Sequence, residues 1–119
     1  MTKEGKVWGE TTDVIETPFF SIHYLSVEAG GFCSEHRHEA KKNIFFVLAG
    51  RLRIRIWREG GLVDEIDLLA GQDTEIPPGV YHQFRAIEPT LAIEIYEVEL
   101  RPGDIERRTR GGRADGRLA

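Results

Sequence analysis

Two histidines two residues apart, His36 and His38, and a third, His82, are the side chains of this chain best suited to chemistry. Residues i and i+2 of a strand point to the same face, so His36 and His38 can converge on one point from a single extended segment. His82 follows the stiff turn Pro77-Pro78-Gly79, which limits where its imidazole can go. Three neutral imidazoles on β scaffolding predict a site for one divalent transition metal ion. A nitrogen-rich donor set suits Zn, Fe, Ni, Mn, Co or Cu rather than Mg or Ca. Asn43 lies five residues after His38 and can add a neutral carbonyl oxygen. Two alternatives stay open: Asn43 can hydrogen-bond a metal-bound water instead, or the histidines can be buried groups satisfied by ordinary hydrogen bonds.

The other reactive residues fit this centre less well. Cys33 is the only cysteine, which excludes an internal disulfide, and its parity differs from that of His36 and His38. It is expected as a packed thiol. His23 shares parity with Leu25 and Val27 and is expected in the core or at its rim. Glu35 and Arg37 face away from the histidines, and Tyr81 points outward. No inward Asp, Glu or Lys is evident near the three imidazoles, so no general base is predicted.

These side chains need strands to hold them. The segments Phe19–Val27, Phe32–His38, Asn43–Leu48, Arg51–Trp57, Leu62–Leu69, Asp73–Ile76, Tyr81–Ala86 and Leu91–Leu100 are rich in β-branched and aromatic residues. Gly and Pro punctuate them, and residues 5–15 add a short edge strand anchored by Trp8. No stretch carries a helical period. Many short strands at such spacing predict an all-β sandwich or barrel. A tight hairpin at Ala49-Gly50 would pair Leu48 with Arg51, Phe46 with Arg53 and Ile44 with Arg55. The opposite face then holds Asn43, Phe45, Val47, Leu52, Ile54 and Ile56, which carries no charge and is the predicted interior. Ser34, His36 and His38, and likewise His82, Phe84 and Ala86, are predicted to line the same cavity. The apolar Ile44, Phe46 and Leu48 on the exterior call for a cover, either the N-terminal segment or a second subunit, and a homodimer is the expectation.

With 119 residues the chain is expected to form one domain, a barrel over 1–100 followed by a basic tail over 101–119. Residues 1–100 carry 10 Lys and Arg against 17 Asp and Glu, whereas residues 101–119 carry 6 Arg against 3 acids. The acidic body argues against nucleic-acid binding. The Gly- and Arg-rich tail is expected to be a solvated end. No apolar run approaches the ~20 residues of a membrane helix, and MTKEGKVWGE lacks an apolar signal region, so the expectation is a cytoplasmic protein without a membrane partner.

Two spaced motifs now become recognisable. Gly30, His36, His38 and Gly50 stand at the spacing of the first motif of the cupin superfamily, and Gly71, Pro77, Gly79 and His82 at that of the second. The chain resembles that superfamily over roughly residues 20–100, with Asn43 at its glutamate position and Ala86 at its asparagine position. The resemblance implies a double-stranded β-helix, or jelly-roll barrel, with a divalent metal in its mouth. Lys6-Val7-Trp8-Gly9, Ser34 and Asp104-Ile105 are loosely similar to the cupin domain of mannose-6-phosphate isomerases. The functional expectation is a metal-dependent enzyme acting on a small oxygen-rich ligand held in the barrel, either isomerising a sugar or keto acid or oxygenating it at a three-His iron. The alternative is a non-catalytic small-ligand or metal-binding module. A polar pocket with Lys, Arg or Tyr beside the histidines would favour the enzyme, and a wholly apolar one the module.

Overall fold

Asn43, Phe45 and Val47, together with Leu52, Ile54 and Ile56, are all buried to within about 1% of full enclosure, as the alternation demands. They do so from two different sheets. The computed structural model describes residues 2–118. Its strands are β1 (Thr2–Lys6), β2 (Gly9–Glu16), β3 (Phe20–Val27), β4 (His36–Arg37), β5 (Lys42–Ala49) and β6 (Arg51–Trp57). They continue as β7 (Val63–Leu69), β8 (Asp73–Ile76), β9 (His82–Ala86), β10 (Thr90–Glu97) and β11 (Glu106–Arg107). One sheet has the order β1-β2-β3-β10-β5-β8 and the other β11-β4-β9-β6-β7, with every pairing antiparallel. The only helical element among the described residues is a single 3-10 turn, Glu59–Gly61, and no helix is long and apolar enough to cross a membrane. This is a jelly-roll barrel, as the motifs implied.

The expected hairpin at Ala49-Gly50 does not form. β5 pairs with β10 and β8, while β6 pairs with β7 and β9, so the turn carries the chain from one sheet to the facing one. Gly50 adopts φ 95°, and a Cβ there would meet the Pro89 carbonyl oxygen at 2.3 Å. The inward faces are unchanged by this, because facing sheets share an interior just as paired strands share a face. The outward faces do differ. Arg53 and Arg55 lie opposite Asp67 and Glu65 on β7 and form ion pairs with them, and Arg51 also reaches Asp67. Side-chain hydrogen bonds from Arg53 and Arg51 hold the Asp67 carboxyl down to about 2. Ile44, Phe46 and Leu48 are on the other sheet, beside Ile93, Ile95 and Leu91.

The core joins both sheets through Leu25, Val27, Phe45, Val47, Leu52, Ile54, Ile56, Leu68, Ile76 and Phe84. Each large side chain enclosed in this way contributes about 1.5–3 kcal/mol relative to exposure. Residues 2–16 form a hairpin rather than one edge strand, with β1 extending the sheet beyond β2. Trp8, at its turn, is buried and packs edge-on against Phe84 with ring centroids 5.0 Å apart.

The stretch Phe32–His38 holds less regular strand than its composition suggests: β4 spans two residues, and Phe32 makes isolated bridges to Arg85 and Gly112. Its outer partner is the C-terminal segment, which is packed against the barrel and not a solvated end. Phe32 and Gly112 exchange both backbone hydrogen bonds, at 2.9 and 2.8 Å, and the Arg108 amide donates to the Glu35 carbonyl at 2.8 Å. Gly111 and Gly112 are buried, and a Cβ on Gly111 would come within 2.8 Å of the Phe32 carbonyl oxygen.

Candidate metal centre

The three histidines meet where β4, β9 and the C-terminal segment meet. His36 lies opposite His82 in the ladder between β4 and β9, so their side chains share a face. His38, two residues on, shares that face by alternation. The Pro77-Pro78-Gly79 turn is tied back to this strand, with the Gly79 amide donating to the His38 carbonyl at 2.7 Å. The imidazole centroids are 4.5 Å apart for His36 and His82, 5.0 Å for His36 and His38, and 5.4 Å for His38 and His82. One ring nitrogen from each lies within 4.8 Å of the others, and all three residues are buried.

Backbone carbonyls set the tautomers. Nδ1–H of His36 donates to the Ser34 carbonyl at 2.7 Å, that of His38 to the Asp104 carbonyl at 2.8 Å, and that of His82 to the Val80 carbonyl at 2.9 Å. Each Nε2 therefore keeps its lone pair. Burial holds all three rings neutral, with His38 and His82 lowered to about 4. His36 falls to about 2, through burial first and then the neighbouring rings of His82 and His38. Buried groups of this kind ordinarily find partners. Here Nε2 of His38 and Oδ1 of Asn43 have none. Three converging imidazoles, one with an unpartnered Nε2, are a donor set a divalent transition ion takes, so these histidines fit such an ion.

Asn43 is fully buried on β5 and reaches the cluster. Its Nδ2–H group lies 3.2 Å from Nε2 of His82 and 3.2 Å from Oε2 of Glu94. Glu94 is the residue the sequence reading lacked: a buried inward carboxyl, one amide away from the imidazoles, where no acid was expected. Burial raises its pKa, more than Asn43, His23, Tyr96 and Lys41 lower it. Tyr96 is on the same face of β10, opposite Asn43, with its ring 5.1 Å from that of His38. Burial, and then the Glu94 carboxylate, raise its phenol well above the usual range. The Lys41 ammonium sits 3.7 Å over the Tyr96 ring. Alternation along LAIEIYEVEL was the available signal, but Ile93 and Ile95 make the other parity look like the interior.

The remaining residues behave as expected. Cys33 is buried, its Sγ accepts from the Phe84 amide at 3.2 Å, and burial pushes the thiol up, so it remains a packed thiol. His23 sits at the rim, its Nδ1 2.7 Å from Asp13 and its Nε2 2.9 Å from Ser21 Oγ. Tyr81 faces outward, under the guanidinium groups of Arg37 and Arg108. A cavity of about 480 Å³ opens beside the cluster, lined by His36, Glu94, Tyr96, His23, Arg107 and Arg110 among others.

A cupin-domain family model matches residues 23–99. The chain is a cupin. No curated protein matches it. Among solved structures, this cupin is similar to oxalate decarboxylase from Bacillus subtilis, with a TM-score of 0.79 at 15% identity. That alignment covers 89% of this chain and 29% of the other, so the cupin spans less than a third of the decarboxylase's length. It is also similar to KdgF from Halomonas sp., with a TM-score of 0.68 at 23% identity, over 76% of this chain and 79% of that one. Both likenesses establish the fold.

Proposed function

We propose that this cupin is a metal-dependent enzyme that moves a proton on a small oxygen-rich metabolite, in the manner of a sugar or keto-acid isomerase. His36, His38 and His82 would hold one divalent transition ion through Nε2, the His82 nitrogen giving up its contact with the Asn43 amide while that amide keeps its hydrogen bond to Glu94. The observation that carries the reading is the buried Glu94 carboxyl, joined to the imidazole cluster through the Asn43 amide at 3.2 Å. When bound, the ion supplies a Lewis acid for a carbonyl or enediolate oxygen.

The chain's own groups supply the proton transfer. A carboxyl whose pKa is raised by burial is a stronger base than an ordinary carboxylate and can abstract and return a proton. Glu94 takes the proton from the carbon beside the substrate carbonyl and delivers it to the neighbouring position. The Tyr96 phenol keeps its proton and can donate to a substrate oxygen. The cavity is not wholly apolar: it carries Glu94, Tyr96 and Arg107 beside His36, which supports an enzyme over a passive binding module.

Two measurements test this. Elemental analysis is expected to find one transition metal per chain, lost in H82A. Deuterium incorporation from D₂O into a panel of 2-oxo acids and sugar acids, followed by NMR, is expected for wild type and reduced roughly 10²- to 10⁴-fold in E94Q. An iron-loaded protein that consumes O₂ and exchanges no proton would establish the oxygenase reading in its place. The partly exposed outer face with Ile44, Phe46, Ile93 and Ile95 is our choice for a homodimer contact, since the N-terminal hairpin extends that sheet at its edge. Sedimentation equilibrium reads the mass.

A further inference from the structure

The C-terminal segment puts one arginine where a substrate would be. Arg107 lies opposite His36 in the β11–β4 ladder, and His36 lies opposite His82 in the next. Directly opposed residues of antiparallel strands share a face, so Arg107, His36 and His82 form one row pointing into the barrel. Its neighbours alternate outward. Glu106 pairs with Arg37 at 2.7 Å, and Arg108 stacks on Tyr81 at 3.7 Å and lies 3.5 Å from Glu35. These contacts fasten the strand from outside and fix the parity of Arg107.

Arg107 itself has no acidic partner within 4.0 Å among the described residues, although Glu94 lines the same cavity. Arg110, on the same rim, also lacks one. An exposed, unpaired guanidinium at the mouth of a pocket that ends at His36, Glu94 and Tyr96 is a ready anion receptor. Its planar fork matches a carboxylate in a two-point contact that an ammonium cannot make. Adjacent strands are about 4.8 Å apart, so Arg107 begins one strand-width beyond His36, and a small acid can span the two.

We propose that Arg107 anchors the carboxylate of a small organic acid whose other oxygens face the histidine cluster. The proposal rests on the metal-dependent reading above and narrows its substrate class to carboxylic acids. It also makes the C-terminal segment part of the binding site.

The test is calorimetric titration of malonate, with malonamide as its uncharged analogue, into wild type, R107Q, R107K and R117Q. Metal content is measured on the same preparations. Arg117 is exposed and outside the cavity, so R117Q removes the same charge elsewhere. Malonate is expected to bind metal-loaded wild type and R117Q alike, and malonamide not to compete. R107Q should bind malonate roughly ten- to a hundredfold more weakly, with R107K between. Equal affinity in wild type and R107Q, an equal loss in R117Q, or no binding by wild type at millimolar malonate would overturn the proposal. Should R107Q fail to fold, R107K decides, and wild-type affinity there overturns it. A wild type that takes up no metal strikes the metal reading alone; malonate binding that still depends on Arg107 would then uphold the anchor.

Discussion

Nδ1 of His38 donates to the backbone carbonyl of Asp104 at 2.8 Å, across 66 residues of sequence. One of the three imidazoles is therefore aimed by the C-terminal segment and not by the barrel strands. The Asp104 carboxylate reinforces the junction, accepting from the amides of Glu39, Ala40 and Lys41 at 2.7, 3.0 and 3.2 Å. Burial alone would raise this carboxyl, but the three amides hold it below its usual value.

Asp104→Ala should therefore act on both stability and the site. Three backbone donors lose their acceptor, a loss of about 1–3 kcal/mol by analogy with capping residues. The carbonyl that orients His38 loses its fixed position, and misaligned outer partners lower metal affinity about 10- to 100-fold. Urea unfolding and a competition titration with a metallochromic chelator measure the two effects. Unchanged metal affinity would separate Asp104 from the centre.

The histidines predict an acid-labile apoprotein. Their ordinary value is 6.5, and the folded values are about 2 for His36 and about 4 for His38 and His82. Below pH 6.5 the unfolded chain takes up protons that the native rings refuse, so stability falls as pH falls from 6.5 toward 4. The limiting slope is about 1.4 kcal/mol per pH unit for each ring. Denaturant midpoints of chelator-treated protein at pH 7.5 and pH 5 check this, and H82A should show a shallower slope than wild type.

Glu94 carries the opposite sign. Burial raises its folded pKa above the ordinary 4.5, so its ionisation erodes stability as pH rises above that value. Gln in its place keeps an oxygen for the Asn43 amide and cannot ionise. Metal-free E94Q should be more stable than wild type at pH 8, and the advantage should shrink toward pH 4.5. An advantage that is the same at both pH values would mean that the fold does not raise the Glu94 pKa.

Much of this molecule was legible in the sequence, for reasons that also explain what was not. Burial of Phe45, Val47, Leu52, Ile54 and Ile56 follows from a period of two with all charge on one side. The same rule hid Glu94 and Tyr96, because β10 turns its isoleucines outward and its polar residues toward the cavity. Parity cannot tell whether two inward faces belong to paired strands or to facing sheets, so the Gly50 turn was read as a hairpin. β11 is two residues long in a Gly- and Arg-rich segment, too short for any periodicity to register. Its order comes from long-range contacts such as the ion pair of Glu106 with Arg37.

The Gly50 crossover gives the last prediction. Its φ of 95° lies in a region costly for residues with a Cβ, and the added methyl would meet the Pro89 carbonyl oxygen at 2.3 Å and Thr90 Oγ1 at 2.7 Å. Backbone on both sides must shift, since Pro89 and Thr90 lead into the strand that carries Glu94. Gly50→Ala should lower stability by about 2 kcal/mol or more. Gly60→Ala is the control: its φ of 74° is also positive, but a Cβ there meets nothing within 4 Å, so only the conformational cost of about 1 kcal/mol remains. Chemical denaturation of the two variants separates strain from clash. Equal losses would mean that the close approach of the Pro89 carbonyl is relieved by a small local shift and that the crossover is less rigid than its packing implies.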